Sequence, residues 1–365
     1  MSSDVQTIAK IFAIGGTIES VADFGSGHIN DSYLVTCHQG QSTARYLLQR
    51  INDLVFRKPV EVMENIARVT EHTTTVLRNS GIGEVDRRTL TVVPTRGGRD
   101  FYNTPDDGYW RMYRYIEGTQ THEKAVTPHQ AHQAAQAIGT LQNLLNSLPE
   151  PALHETIPHF HNTPLRYTQL DQAVRENPCN RLAQARQEVD FADENREFAG
   201  LLQDLQARGE LPLRTVHNDA KISNVLFDRD TDQAICVVDL DTIMPGLALN
   251  DFGDMVRTMD TTAPEDEADL SRVEISLPLF EGLASGYVGA AEPFLTPCER
   301  EQLVPSGQIL TLEQGVRFLT DFLLGDPYYK TSRPNHNLVR CRNQFKLLRS
   351  LMVNESAMRR FVETL

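Results

Sequence analysis

The chain has 365 residues, 40% hydrophobic and 23% charged, the composition of a soluble globular protein with room for one large or two medium domains. A formal net charge of −14 argues against general affinity for nucleic acid or anionic membranes, while leaving room for a locally basic site that takes an anionic ligand. No apolar run approaches the ~20 residues of a membrane span, the start Met1-Ser2-Ser3-Asp4 lacks the basic segment of a secretory leader, and five scattered cysteines without metal-ligand spacing read as reduced thiols, so a cytoplasmic protein is expected.

Residues 1 to about 116 are rich in strand signals. Ile18 to Phe24 leads into Gly25-Ser26-Gly27, and Tyr33 to Thr36 resumes an extended pattern. Tyr46 to Ile51 is a third strand candidate. Val60 to Leu77 then carries Val62, Ile66 and Val69 at helical spacing. Leu90 to Pro94 and Tyr109 to Ile116 complete the region as two more strands. Three strands, a helix and two strands match the small lobe of a kinase-like fold, with Glu117-Gly118-Thr119 as the hinge. From about 129 the pattern turns helical: Gln130 to Leu148, Ala183 to Leu205, and helices around Leu279–Tyr287, Glu313–Leu324, Leu338–Leu351 and Glu355–Leu365. The expected class is α+β: a bilobal, protein-kinase-like fold. Residues 1–116 form a small antiparallel-sheet lobe with one main helix that binds nucleotide, and residues 117–365 form a larger, mostly helical lobe with the catalytic loop, metal and acceptor sites.

The strongest signal is His217-Asn218-Asp219-Ala220-Lys221-Ile222-Ser223-Asn224, an H-x-D-x-x-x-x-N pattern, followed by an apolar run that delivers Asp239. Val225-Leu226-Phe227 and Ile235 to Val238 flank it as a hairpin. Phosphoryl transfer from ATP needs this set. Asp219 is expected to orient and deprotonate the acceptor hydroxyl, a task the loose transition state makes mainly one of positioning. Asn224 and Asp239 are hard oxygen ligands suited to magnesium. Asp241 shares the face of Asp239 if the strand continues. It is then a candidate to touch metal or substrate, against an equal chance of being a plain turn residue. Asp251-Phe252-Gly253 imitates the magnesium motif of protein kinases, but no hydrophobic strand precedes it. Asp251 is expected to brace the catalytic loop by hydrogen bonds.

Glycines at Gly25 and Gly27 let backbone amides approach phosphates, with Ser26 between them. ATP is expected beneath this turn, against the hinge at Tyr115, Ile116 and Gly118, with His28 and Asn30 at the mouth of the cleft. The third strand carries Gln49 where a lysine is expected, and a neutral amide cannot pair the α/β-phosphates. Glu61 and Glu64 on the next helix have no obvious cationic partner. Ala13-Ile14-Gly15-Gly16-Thr17-Ile18 imitates the amino-terminal signature of bacterial asparaginases. Ile14 replaces the nucleophilic hydroxyl that acyl chemistry requires, which excludes that reading.

With these residues in place, the chain resembles the aminoglycoside phosphotransferase and choline kinase-like superfamily, bilobal enzymes that phosphorylate small molecules. Several segments are similar to the subgroup that acts on the anomeric hydroxyl of N-acetylhexosamines. They are Gly25 to Asn30 with Tyr33 to Thr36, His159-Phe160-His161-Asn162-Thr163-Pro164, His217 to Asn224, Val238 to Gly246, Arg317-Phe318-Leu319, and His336 to Arg340. The resemblance implies ATP-dependent formation of a sugar 1-phosphate from N-acetylglucosamine or N-acetylgalactosamine. It also implies Asp219 as base, His28 and Arg317 as sugar contacts, and Gln49 as a shared feature of the subgroup. By itself Arg317 reads as a surface cation on a Phe/Leu-rich helix and His28 as a turn residue. An amino alcohol, an aminoglycoside or another sugar is the competing acceptor. The single tryptophan, Trp110, lies in the small lobe and argues against an aromatic choline cage. A non-catalytic role would require loss of Asp219, Asn224 or Asp239, and all are present.

Overall fold

The computed structural model describes residues 4–25, 29–261 and 263–365. The fold is α+β, an antiparallel sheet at the amino-terminal end and a helical carboxy-terminal part. A short helix α1 (Val5–Ala9) precedes β1 (Thr17–Asp23), β2 (Asp31–Gln39) and β3 (Ser42–Ile51). Helix α2 (Pro59–Asn79) and the single turn α3 (Val85–Arg88) follow, then β4 (Tyr102–Thr104) and β5 (Gly108–Arg114). The sheet order is β1-β2-β3-β5-β4, with antiparallel neighbours throughout.

Alternation along these strands makes two faces. Val35, Cys37, Tyr46, Leu48, Trp110 and Met112 pack against Ile8 and Phe12 on one side. Ile51 and Tyr113 meet Val62, Ile66 and Val69 of α2 on the other. Leu90 to Pro94 does not become a strand as expected. It runs beside β5 with one bridge, Val92 to Tyr113, and then turns to the segment after α1, where the Pro94 carbonyl accepts from the Ala13 N–H and Thr95 bridges Phe12.

Beyond Arg114 the chain crosses at Tyr115 to Gly118 into β6 (Thr119–Gln120), which pairs with β8 (Val225–Asp228) and through it with β9 (Ala234–Val237). Strand β7 (Arg214–Val216) pairs with β10 (Met244–Gly246). Around these lie α4 (Pro128–Leu145), α5 (Thr163–Glu176), α6 (Arg186–Glu194), α7 (Leu201–Ala207), α8 (Ala248–Met259), α9 (Leu277–Ala291), α10 (Pro297–Glu301), α11 (Leu303–Leu324) and α12 (His336–Glu363). Among the described residues no helix is long and apolar enough to cross a membrane.

Three helical expectations are corrected. The segment from Ala183 to Leu205 is two helices, α6 and α7. Val189 and Ala192 bury in the cluster with Leu319 and Phe345, whereas Leu202 and Leu205 bury in the cluster with Phe252 and Leu283, and one straight helix cannot serve both. The two helices expected at the carboxy terminus are one, since Glu355 and its neighbours continue the helical ladder unbroken. Helices α5 and α8 were not expected. Helix α8 starts without a side-chain cap, at Leu247, and so carries no start signal in sequence.

Helix α8 lies close against α11. A Cβ at Gly253 would sit 2.5 Å from the Ser306 carbonyl oxygen. That explains the glycine of Asp251-Phe252-Gly253 by packing, with Phe252 fully buried in the core. Gly253→Ala should therefore lose about 1–3 kcal/mol of stability, the usual cost of overpacking. Denaturant unfolding measures this, and an unchanged midpoint would contradict the close contact.

Candidate active site

The loop between β7 and β8 is held by partners that come from far away in sequence. Asp251, in the first turn of α8, accepts from the backbone N–H of His217 at 2.9 Å and of Asn218 at 2.7 Å. Gln142 Nε2 donates to the same carboxylate at 2.7 Å. His217 Nε2 lies 2.9 Å from the Val238 carbonyl oxygen, and Thr242 Oγ1 donates to the His217 carbonyl at 2.7 Å. Asp251 thus braces the loop, as its place in the sequence suggested. Asn218 takes a left-handed conformation, φ 64°, and its side-chain amide donates to the Thr242 carbonyl at 3.0 Å. The next residue, Asp219, is turned to its own neighbours.

Asp219 Oδ2 receives Lys221 Nζ at 2.8 Å and Asn224 Nδ2 at 3.0 Å. Burial pushes the Asp219 pKa up, but the Lys221 charge and hydrogen bond, with His217 and Asn224, outweigh it and hold the carboxyl below its usual value. It is ionised at neutral pH. Asp239 stands opposite. Burial first, then the charges of Asp241 and Asp219, push its pKa up to about 6. A carboxylate strained in this way gains most from a cation. Asn224 uses its amide nitrogen on Asp219, so its oxygen is the atom to offer a metal. Among the described residues no cluster of three or more His, Cys, Asp or Glu forms a metal cage. Two hard oxygen ligands fit magnesium, which draws its other ligands from phosphate and water.

The strand does not carry on to Asp241. β9 ends at Val237, Asp239 is left-handed at φ 58°, and a 3-10 turn over Leu240–Thr242 follows. The face-sharing expected of Asp239 and Asp241 therefore fails. Asp241 is instead turned to the small lobe, where Asn30 Nδ2 donates to Oδ2 at 2.7 Å and Arg111 pairs with Oδ1. Gln49 lies in this group too, accepting from Arg111 Nε at 3.0 Å. Arg111 was not foreseen. The available signal was a lone charge inside the strand Tyr109-Trp110-Arg111-Met112-Tyr113.

At the hinge, Ile116 is buried and Gly118 has φ 69°. The Tyr115 ring meets the edge of Phe24 at 5.8 Å and the Arg45 guanidinium at 4.6 Å. Phe24 directly precedes Gly25, whose φ is 80°, so the start of the glycine turn abuts the hinge. Ser26, Gly27 and His28 lie outside the described residues.

Arg317 sits over two rings, Phe160 at 5.5 Å and Tyr329 at 5.7 Å, and its Nη1 donates to Gln314 Oε1 at 3.2 Å. Helix α11, which carries it, is joined to the Asp219 loop through His161. That imidazole bonds Glu313 Oε1 with Nδ1 and the Asn218 carbonyl with Nε2, both at 2.9 Å. Both partners accept, so the geometry favours the doubly protonated ring, which donates to each. Burial pulls its pKa down, but the bond to Glu313, Glu313's charge and the Asn218 carbonyl outweigh that and raise it. Phe160, Tyr329, Gln314 and Glu313 had no distinguishing signal apart from the His159 to Pro164 segment.

The sequence profile of the phosphotransferase enzyme family (APH) matches residues 20–283. Among solved structures, an aminoglycoside phosphotransferase from Alicyclobacillus acidocaldarius subsp. acidocaldarius DSM 446 is similar at TM-score 0.63 and 13% identity, covering 100% of this chain and 98% of its own. A microcompartment-associated aminopropanol kinase is similar at TM-score 0.58 and 16% identity, covering 97% of each chain. A spectinomycin phosphotransferase in complex with ADP and spectinomycin is similar at TM-score 0.54 and 13% identity, covering 95% of this chain and 98% of its own. The chain belongs to the phosphotransferase enzyme family (APH).

Proposed function

We propose that the protein is an ATP- and magnesium-dependent kinase that phosphorylates the anomeric C1 hydroxyl of N-acetylhexosamines, N-acetylglucosamine or N-acetylgalactosamine. Residues 1–116 form the nucleotide-side lobe and residues 117–365 the catalytic lobe. ATP lies between the Gly25-Ser26-Gly27 turn, Gln49 and the hinge at Tyr115, Ile116 and Gly118. The observation that carries phosphoryl transfer is Asp219, ionised between Lys221 and Asn224, with the cation-seeking carboxylate of Asp239 nearby.

Asp219 orients the C1 hydroxyl and takes its proton as the oxygen bonds to the γ-phosphorus and ADP leaves. Its low pKa makes it a weak base, which suits a loose transition state with late proton removal. Lys221 places a fixed positive charge beside the transferring group. Magnesium held by Asn224 and Asp239 would neutralise charge on the β- and γ-phosphates. His28 and Arg317 contact the sugar. The resemblance of the Val238 to Gly246 and His159 to Pro164 segments supports a hexosamine, and so does local charge. Arg317 lies close enough to Arg166 to help depress its pKa, after burial and against the charge of Glu313, and two guanidiniums together disfavour a cationic acceptor such as an amino alcohol or aminoglycoside. Phosphorus NMR on a panel of acceptors tests the assignment. A sugar 1-phosphate is expected, and phosphorylation of amino alcohols or aminoglycosides alone would reject the sugar.

Asp219→Asn should fold and bind ATP, yet lose about 10²–10⁴ in rate, the usual worth of a positioned base. The loss should appear in kcat and kcat/KM together. A near-normal kcat would remove Asp219 from the mechanism.

Asp239→Ala and Asp251→Ala should separate chemistry from structure. Asp239→Ala removes a carboxylate whose burial opposes its charge, so magnesium-supported turnover vanishes while the melting temperature holds or rises. Asp251→Ala leaves buried N–H groups unpaired and costs about 1–3 kcal/mol for each. Metal coordinated by Asp251 in a nucleotide complex would reverse the assignment.

His161 makes the catalytic loop sensitive to pH. A histidine whose pKa is raised on folding contributes fully below its unfolded value of about 6.5, and that contribution fades as pH climbs through the folded value. The melting temperature should fall on the alkaline side, and His161→Gln should flatten that limb. Parallel profiles for the two proteins would show that the ring is neutral in the fold.

A further inference from the structure

In protein kinases the small lobe presents a lysine from its third strand, anchored by a glutamate on the next helix. Both are missing here. Gln49 occupies the strand position, and the two glutamates in the first half of α2 are engaged elsewhere, Glu61 with Lys58 at 3.0 Å and Glu64 with His154 at 2.8 Å. The same face of the sheet nevertheless carries a cation. Gln49 and Arg111 are direct cross-strand partners in the β3–β5 register, so their side chains leave one face. The charge has moved one strand across.

Arg111 is 1% exposed and Asp241 2% exposed, and the two are paired across the lobe boundary. Asn30, in the segment returning from the glycine turn, takes the second Asp241 oxygen. Asn30 Oδ1 in turn accepts from the Asn52 N–H at 3.0 Å, and Gln49 Nε2 donates to Ser32 Oγ at 3.0 Å. One hydrogen-bonded network therefore joins Asn30, the start of β2, β3, β5 and the loop that carries Asp239. A buried ion pair adds little net stability against an apolar replacement, but losing one partner strands the other. Such a pair sets position.

We propose that Arg111 replaces the missing lysine–glutamate pair: with Asp241 and Asn30 it forms a buried clasp between the lobes that fixes Asp239 relative to Asn30 and strands β3 and β5, and so governs how nucleotide and metal are held. Arg111, Asp241 and Asn30 are positioning residues. The inference rests on the kinase reading above and is independent of the acceptor.

The test compares Arg111→Gln, Asp241→Asn, their double variant and Asn30→Ala with the wild-type protein. Folding is checked by thermal melting, Mg·ADP binding by titration calorimetry, and KM for ATP and acceptor by turnover. Each single variant should weaken Mg·ADP binding and raise the ATP KM about 10- to 100-fold, the range for partners that orient a metal ligand. The acceptor KM should stay unchanged. The double variant should lose no more than the worse single, because the pair acts as a unit. Losses that multiply would give Asp241 a separate role, such as metal ligation, and overturn the clasp. If the buried variants do not fold, Asn30→Ala decides alone, and normal Mg·ADP binding in it would reject the proposal. A wild-type protein that binds no Mg·ADP would overturn the kinase reading itself. Nucleotide binding without hexosamine turnover would reject only the acceptor and leave the clasp to be judged on binding.

Discussion

The site depends on a carboxylate that is not expected to touch any substrate. Asp251 is fully buried, and burial pushes its pKa up, against the hydrogen bonds from His217, Asn218 and Gln142 that favour the charged form. Its two oxygens fasten the backbone just before Asp219. The support runs outward from there. Tyr287 of α9 donates to Gln142 Oε1 at 2.7 Å, Gln142 reaches Asp251 from α4, and α8 is pressed onto α11 at Gly253. Removing polar partners one by one from such a network is costly because each leaves a buried group unpaired.

Around that fixed loop the charges alternate. Asp219 is pulled toward ionisation by Lys221, Asp239 is pushed away from it, and Asp241 is paired with Arg111. Carboxyl groups whose surroundings drive their pKa values apart are suited to different tasks. In the proposed reaction the first would accept a proton late and the second would take a cation. The third is already matched and serves geometry.

Much of this was legible in the sequence where a single local rule governs the residue. The spacing of Asp219 and Asn224 brings them together because the chain between them closes into a 3-10 turn at Ile222–Asn224. The first three strands and α2 follow from their periodicity. What failed were positions where long-range packing overrules local pattern. Asp239 enters a left-handed conformation, so the two-residue alternation that linked it to Asp241 is lost. Arg111 looks like a surface charge until Gln49 and Asp241 are folded onto it. Arg317 gains its place only when α11 meets the Phe160 and Tyr329 rings.

The cluster under α2 has a wider meaning. Ile51, Val62, Ile66 and Tyr113 from the sheet side share it with Cys236, Leu240 and Ile243 from the Asp239 side, and Asn65 of α2 donates to the Ile243 carbonyl at 3.1 Å. Opening the cleft by a wide swing would bring that apolar surface into water, at about 25 cal/mol for each Å². Two lobes that share a core are one cooperative body. The boundary that organises the chemistry is therefore no boundary for unfolding, and damage to either half is felt by both.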